Sequence, residues 1–201
     1  MKIAFLSPFY PYRGGIAQYS DSLYLALAKD NDIKAFTFTL QYPKFFFPGK
    51  TQYVSNSDLN RNIPIERVLN SINPFTYYRT AKDILKFQPD LVLVSYWMPF
   101  FAPAFGKIAK ILRKSGVKVI GILHNVIAHE KQFGGKSLTK YFFNNCDGFV
   151  ILNKSSERDL LELKPAAKYI IHKHPLYDHY GTKLDIAQAR KKLGIPLDKK
   201  V

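Results

Sequence analysis

The opening stretch of this chain constrains its fold more than any other part. A short apolar run, Lys2 to Ser7, passes through Pro8, Pro11 and Arg13 into Gly14-Gly15, and a helix-like pattern begins at Ile16. A strand, a glycine turn and a helix in that order form the first βα unit of an open α/β domain. They also make a site for a phosphate. Backbone N–H groups at a helix start lack intrahelical partners, the helix dipole favours negative charge there, and glycine lets a ligand approach the backbone. The turn after such a strand is where open α/β sheets bind ligands.

The rest of the chain alternates in the same way. Strands are expected at Ile3–Ser7, Ile33–Thr39, Leu91–Ser95, Val117–Leu123 and Gly148–Leu152, with a weaker one at Tyr169–Ile171. Most are short Val, Ile, Leu or Phe runs without alternation, as strands buried on both faces of a parallel sheet read. Helices are expected at Ile16–Lys29, Pro74–Phe87, Pro99–Ser115 and Lys154–Leu163. The βαβα order implies an α/β fold, a Rossmann-like, doubly wound, mostly parallel sheet. A chain of 201 residues suits one such domain or two small ones.

Two stretches break the alternation. Leu40–Ile65 is long, contains Pro43, Pro48 and Pro64, and holds Lys44-Phe45-Phe46-Phe47-Pro48-Gly49-Lys50. Loops of that length inside compact domains are often functional. Its rings could lie in a membrane interface beside lysines, or fold back onto the core. The second is the tail. Asp185–Leu193 reads as a helix that Gly194 and Pro196 stop, and Val201 resembles the first residue of another strand. The expected division is a domain over residues 1–180, with 181–201 a helix and linker leading toward a further domain.

The charge is one-sided: 30 Lys and Arg against 15 Asp and Glu, a net +15. Between Leu91 and Cys146 the only acid is Glu130, among Lys107, Lys110, Arg113, Lys114, Lys118, Lys131, Lys136 and Lys140. Such a field attracts acidic lipid, nucleic acid or phosphorylated substrate, or it is a solvated face that aids solubility. The single cysteine, Cys146, rules out an internal disulfide and fits a reducing compartment. No apolar run is long enough to span a bilayer, and Pro8, Pro11 and Arg13 spoil a signal peptide. The expected location is cytoplasmic.

Several constellations are absent: Gly-x-Gly-x-x-Gly after the first strand, the P-loop, a zinc cysteine cluster and the Gly-x-Ser-x-Gly elbow. Polar residues at strand C-termini remain. They are Arg13, Gly14 and Gly15; Ser95-Tyr96-Trp97; His124-Asn125, then His129-Glu130; and Asn153-Lys154. His124 follows Val-Ile-Gly-Ile-Leu, so its ring should emerge at the mouth of the sheet. There it could exchange a proton or hydrogen bond with a hydroxyl, or it could serve structure by bonding a backbone carbonyl. His129 and Glu130 are polar substrate contacts or loop anchors. His172 and His174 read as structural, and no metal site is expected.

Together these motifs resemble the N-terminal domain of family 4 glycosyltransferases. The resemblance rests on Ser-Pro-Phe-Tyr-Pro-x-x-Gly-Gly-Ile-Ala-x-Tyr (Ser7–Tyr19), Gln-Pro-Asp-Leu-Val-Leu-Val (Gln88–Val94) and Leu-His-Asn-Val (Leu123–Val126) with His129-Glu130. Asp-Gly-Phe-Val-Ile-Leu (Asp147–Leu152) and the tail Ala189–Val201 fit the same domain and its lead-in to a second one. The order and spacing of these motifs are more specific than any one of them.

The resemblance implies the N-terminal, acceptor-side half of a GT-B fold. Its partner is a nucleotide-sugar donor, a co-substrate rather than a cofactor, and its acceptor is a glycan or lipid-linked. Transfer would retain anomeric configuration without a metal and would need the second domain. Gly14 and Gly15 would lie against the donor diphosphate and the acceptor, and His124 near the transferred sugar as the catalytic candidate. Arg13, Tyr19, Trp97, Asn125, His129 and Glu130 complete the substrate set. The resemblance also points to peripheral attachment at an acidic inner membrane face. Phe45, Phe46 and Phe47, the stretch Tyr141–Phe143, and Lys107, Lys110 and Lys114 are the membrane-facing candidates. The competing reading is a non-enzymatic basic module for acidic lipid or nucleic acid. The aromatics follow no RNA-binding pattern, so no specific nucleic acid is expected.

Overall fold

The computed structural model describes residues 1–43, 47, 51–54, 62–125, 134–172, 174 and 183–197. The strands are β1 (Lys2–Leu6), β2 (Asp32–Leu40), β3 (Ile65–Asn70), β4 (Leu91–Tyr96), β5 (Lys118–Leu123), β6 (Gly148–Ile151) and β7 (Tyr169–Ile171). The helices are α1 (Gly15–Leu27), α2 (Pro74–Lys86), α3 (Ala102–Lys114), α4 (Gly135–Asn144), α5 (Lys154–Leu163) and α6 (Ile186–Leu193). A 3-10 turn, Pro99–Phe101, leads into α3.

All seven strands pair in parallel, in the order β3-β2-β1-β4-β5-β6-β7. The chain winds outward from β1 in one direction, then restarts at β4 on its other side. The crevice outside the C-terminal ends of β1 and β4 is therefore the topological switch point, where open α/β sheets hold their ligands. This is the Rossmann-like sheet that the apolar runs predict.

Period-two alternation divides each strand between two cores. Ala4, Leu6, Phe36, Phe38, Val92, Val94 and Tyr96 face one side, under Ala81 and Ile84 of α2, Phe105, Ile108 and Leu112 of α3, and Phe142 and Phe143 of α4. Ile3, Phe5, Ile33, Ala35, Leu93 and Ile122 face the other, under Tyr19 and Tyr24 of α1. Each fully buried Leu, Ile or Phe is worth about 1.5–3 kcal/mol, so the two cores fix the register and hold the strand ends in place. α3 and α4 approach closely at Gly106, where a Cβ would stand 2.5 Å from the Tyr141 ring and 3.3 Å from the Phe142 Cα.

Two elements depart from the sequence reading. β3 lies in what reads as the end of the long loop and the gap after it. Its Ile-Glu-Arg-Val-Leu-Asn sequence is that of an edge strand, and only Leu69 is fully buried. α4 replaces the membrane-facing reading of Tyr141–Phe143. Phe142 and Phe143 are wholly buried, and Tyr141 packs over Gly106, because α3 needs an apolar partner beside it. The tail helix forms where its signals place it. Asp185 caps α6 by accepting from the Gln188 N–H at 2.8 Å, and Gly194 ends it with φ of 67°.

Candidate functional site

The site is built outward from the turn after β1. Gly14 precedes α1 with φ of 118°, a left-handed-side conformation that favours glycine, and no side chain caps the helix. The first turn of α1 holds no acid. A Cβ on either Gly14 or Gly15 would meet nothing within 4 Å, so both lie beside open space. The exposed helix end and its dipole suit an anionic group there.

The long loop braces this turn, a role the sequence did not reveal. Tyr12 and Tyr53 form an antiparallel bridge. The Arg13 N–H donates to the Gln52 carbonyl at 3.0 Å, and the Val54 N–H donates to the Pro11 carbonyl at 2.9 Å. The Gln52 side chain in turn bonds the Tyr42 backbone in both directions, accepting at 3.2 Å and donating at 3.1 Å. Arg13 itself is exposed beside the glycines.

One turn into α1, Tyr19 is buried and carries the contact across the crevice. Its ring meets the imidazole of His124 edge-on, with centroids 4.9 Å apart. His124 follows β5 directly, and its N–H continues the ladder to the Tyr96 carbonyl at 2.9 Å. Its Nε2 lies 3.4 Å from the Ser95 hydroxyl at the end of β4. Burial first, and nearby His174 second, push the imidazole pKa down to about 4. A neutral ring can offer either a donor or an acceptor to a sugar hydroxyl. His174 also packs against Tyr19, centroids 5.3 Å apart.

The structure thus gathers Arg13, Gly14, Gly15, Tyr19, His124 and the exposed Asn125 at the C-terminal edge of the sheet. It adds Ser95, which the sequence places among the polar strand-end residues without a role in the site, and His174, which reads there as structural. Ser95, the last residue but one of β4, pairs with Ile122 two residues before His124, which cross-strand pairing between β4 and β5 could have signalled. His174 lies more than a hundred residues from Tyr19, so no local pattern points to it.

Trp97 goes elsewhere. It lies only 9% exposed among Phe38, Phe101 and Phe105, and its Nε1–H donates to the Tyr42 hydroxyl at 2.8 Å. That hydroxyl donates on to Met98 Sδ. Burial pushes the Tyr42 phenol up to about 12. Phe47 folds back onto the same group, 5.8 Å from the Tyr42 ring, rather than projecting outward. Phe45, Phe46, His129 and Glu130 lie outside the described residues. Lys110 and Lys114 are exposed on α3, and Lys107 is half-buried, with its Nζ over the Tyr78 ring. Among the described residues no three His, Cys, Asp or Glu side chains gather as a metal site would require, and no helix is long and apolar enough to cross a membrane.

Comparison with known proteins agrees with this architecture. The model of Glycosyltransferase Family 4 matches residues 13–173, from the glycine turn to the strand beside His174. An alpha-glucosyltransferase (AGT) in complex with UDP superposes with a TM-score of 0.55 at 10% identity, covering 88% of this chain and 44% of that one. A structure described as trehalose-6-phosphate from E. coli bound with UDP-2-fluoro glucose gives 0.54 at 13% identity, covering 96% and 55%. The chain therefore spans about half the length of these structures, and at such identity the likeness shows the fold. No curated protein sequence matches the chain.

Proposed function

The chain belongs to glycosyltransferase family 4, and from that premise we propose that it forms the acceptor-side wall of a sugar-transfer cleft. The donor is a nucleotide-sugar of hexosyl type, the acceptor a polysaccharide precursor or lipid-linked glycan, and the anomeric configuration is retained. The observation that carries this reading is the pairing of a glycine-lined helix start, which no side chain caps, with a half-buried neutral histidine across the switch point. The first feature suits a diphosphate and the second a sugar hydroxyl.

In this reading the α1 end stabilises negative charge that grows on the departing diphosphate. Backbone donors fixed before the reaction do this without reorganising. His124 holds a hydroxyl of the transferred sugar, and Ser95 and Tyr19 fix the plane of its ring. Arg13 supplies positive charge beside the glycines. Asn125 and, outside the described residues, His129 and Glu130 complete the acceptor contacts. The acceptor hydroxyl loses its proton to the leaving phosphate, so no protein carboxylate has to serve as base.

The matched structures are about twice as long as this chain. The facing, donor-binding wall belongs to a second domain in this reading, with residues 181–201 leading toward it, and the chain alone is inactive. Work on a lipid-linked acceptor places it at the cytoplasmic face of a membrane.

The test is transfer of radiolabel from a panel of nucleotide-hexoses to a membrane lipid extract, by this domain joined to a donor-binding domain. Label should move with the joined protein and not with the chain alone. His124→Ala should lower turnover at least about tenfold, the loss of one hydrogen bond to the sugar, without unfolding the protein. Transfer from no donor would overturn the reading, and near-normal turnover would remove His124 from the site.

A further inference from the structure

Two serines are wholly buried where β1 meets α1. Along β1 every second side chain faces α1. Ile3 and Phe5 enter that core, and the same alternation carries Ser7, the first residue past the strand, to the same side. The Ser7 N–H donates to the Phe36 carbonyl at 3.1 Å, which extends the strand by one residue. Its hydroxyl meets that of Ser20, in the second turn of α1, at 2.5 Å. The Ser20 hydroxyl also donates to the Ile16 carbonyl at 2.8 Å. Each hydroxyl has one proton, and a carbonyl can only accept. Ser20 therefore spends its proton on Ile16, and Ser7 donates to Ser20. The hydrogen bonds run in one direction, from the end of β1 to the first turn of α1.

Such a link does what apolar packing does not. Burial of apolar surface holds α1 against the sheet but has no direction, so it leaves rotation and sliding loosely set. The fully buried face of α1 is short: Ala17, Tyr19, Ser20 and Tyr24. A hydrogen bond has a narrow length and a preferred angle. Neighbouring residues stand about 100° apart around a helix. Holding Ser20 toward Ser7 therefore turns Tyr19 to one side, and on that side its ring meets His124 edge-on, centroids 4.9 Å apart. The same bond sets how far Gly14 and Gly15 stand beyond the end of β1. The segment between is tied down separately: the Phe9 N–H donates to the buried Thr37 hydroxyl at 3.1 Å, and the Tyr12 N–H to the Phe9 carbonyl at 2.9 Å. Two alanines would fill nearly the same space as the serines and leave no buried polar atom to satisfy. The pair contributes alignment rather than bulk.

We propose that Ser7 and Ser20 are positioning residues for sugar transfer. Their hydrogen-bonded pair sets the rotation and depth of α1, which aims the glycine-lined helix start at the donor diphosphate and holds Tyr19 against His124. Both hydroxyls are sealed from solvent, so they act through α1 and not on substrate. The aim at a diphosphate rests on the proposed function above; the alignment of Tyr19 on His124 does not.

The experiment compares two variants of the chain by NMR. Ser7→Ala with Ser20→Ala removes both hydroxyls together. Replacing both partners of a buried hydrogen bond by apolar groups is nearly neutral for stability, so the melting temperature should hold while the alignment is lost. Tyr24→Phe is the control. It removes the bond from the Tyr24 hydroxyl to the Ile33 carbonyl at 3.2 Å, further along the same helix, and should lower the melting temperature without moving the helix start. The first readout is the His124 ring protons, which the Tyr19 ring current displaces. They should move toward their free positions in the double variant and stay in place in Tyr24→Phe. The second is a titration with inorganic pyrophosphate, followed at the amides of Gly14, Gly15 and Ile16. The double variant should bind about tenfold more weakly, roughly the worth of one hydrogen bond, and Tyr24→Phe as tightly as the original chain. Ser20→Cys keeps the size with a weak donor and should move the His124 protons in the same direction, which serves if the double variant does not fold. The proposal is overturned by unmoved His124 protons in the serine variants, by equal movement in Tyr24→Phe, or by undiminished pyrophosphate binding. If pyrophosphate shifts no α1 amide in the original chain, the diphosphate reading fails, and the His124 protons alone decide whether the serine pair aligns the helix.

Discussion

The ring of Tyr19 stands at 90° to the imidazole of His124, with centroids 4.9 Å apart. Through this contact the first turns of α1 and the end of β5 hold a common geometry, although β1 and β4 pair between them. The side of the site that suits a phosphate and the side that suits a sugar hydroxyl are thereby locked together. The arrangement also encloses His124, with a consequence for pH.

Burial first, and His174 second, lower the His124 pKa from 6.5 to about 4. Between those values the unfolded chain binds a proton that the folded chain does not. The stability that His124 contributes is thus complete above pH 6.5 and declines as pH falls toward 4. Melting temperature should drop over that window, and His124→Gln should flatten the drop. Proton NMR of the imidazole should show no titration near neutrality. A midpoint for His124 near 6.5 would contradict this account.

Gly15→Ala separates folding from ligand approach. The added Cβ meets nothing within 4 Å, and Gly15 opens a helix. Stability should hold or rise by about 0.4–1 kcal/mol, because the unfolded chain loses freedom. Sugar transfer by the protein joined to a donor domain should fall, because the methyl occupies space next to the helix start. Gly14→Ala should lose about 1–3 kcal/mol to backbone strain at φ of 118°. Thermal melts alongside transfer assays distinguish the two.

Gly106→Ala tests the α3–α4 contact. Its Cβ would stand 2.5 Å from the Tyr141 ring and 3.3 Å from the Phe142 Cα. Overpacking of this kind costs about 1–3 kcal/mol. Tyr141→Ala in the same chain should recover part of the loss, because the ring is the closer obstacle. Urea denaturation of the two single variants and the double variant gives the coupling directly. Additive losses would show that the backbone of α4, not the ring, sets the spacing.

The residues that announced themselves in the sequence are those whose local pattern and final environment agree. β1, β4 and β5 read as strands because both their faces are buried, and Gly14-Gly15 marks the turn because a backbone with φ of 118° needs glycine. β3 was hidden because it is an edge strand, with Glu66 in a surface pair to Lys34 and Arg67 bonded to the Phe38 carbonyl. Its polar residues look like loop. The aromatic runs misled for a related reason. Phe142 and Phe143 look like a membrane anchor only if the α3 surface that covers them is unknown. Ser95 stood among the strand-end residues, but its approach to His124 depends on the pairing of β4 with β5, and His174 joins the site through its tertiary contact with Tyr19, which no short pattern encodes.

Trp97 offers the sharpest separation between site and core, because it is the only tryptophan in the chain. At a strand end it reads as a platform for a sugar, but its ring is packed against Phe101, with centroids 4.3 Å apart, and its N–H is held by Tyr42. Its fluorescence should therefore be blue-shifted and resist acrylamide, and nucleotide-sugars should leave it unchanged. Tyr42→Phe removes the acceptor and leaves the buried indole N–H unsatisfied, a cost of about 1–3 kcal/mol. That loss should appear in urea denaturation, while sugar transfer by the joined protein stays near its normal rate. If nucleotide-sugar quenched the emission, or if Tyr42→Phe lowered transfer without loss of stability, Trp97 would belong to the cleft after all.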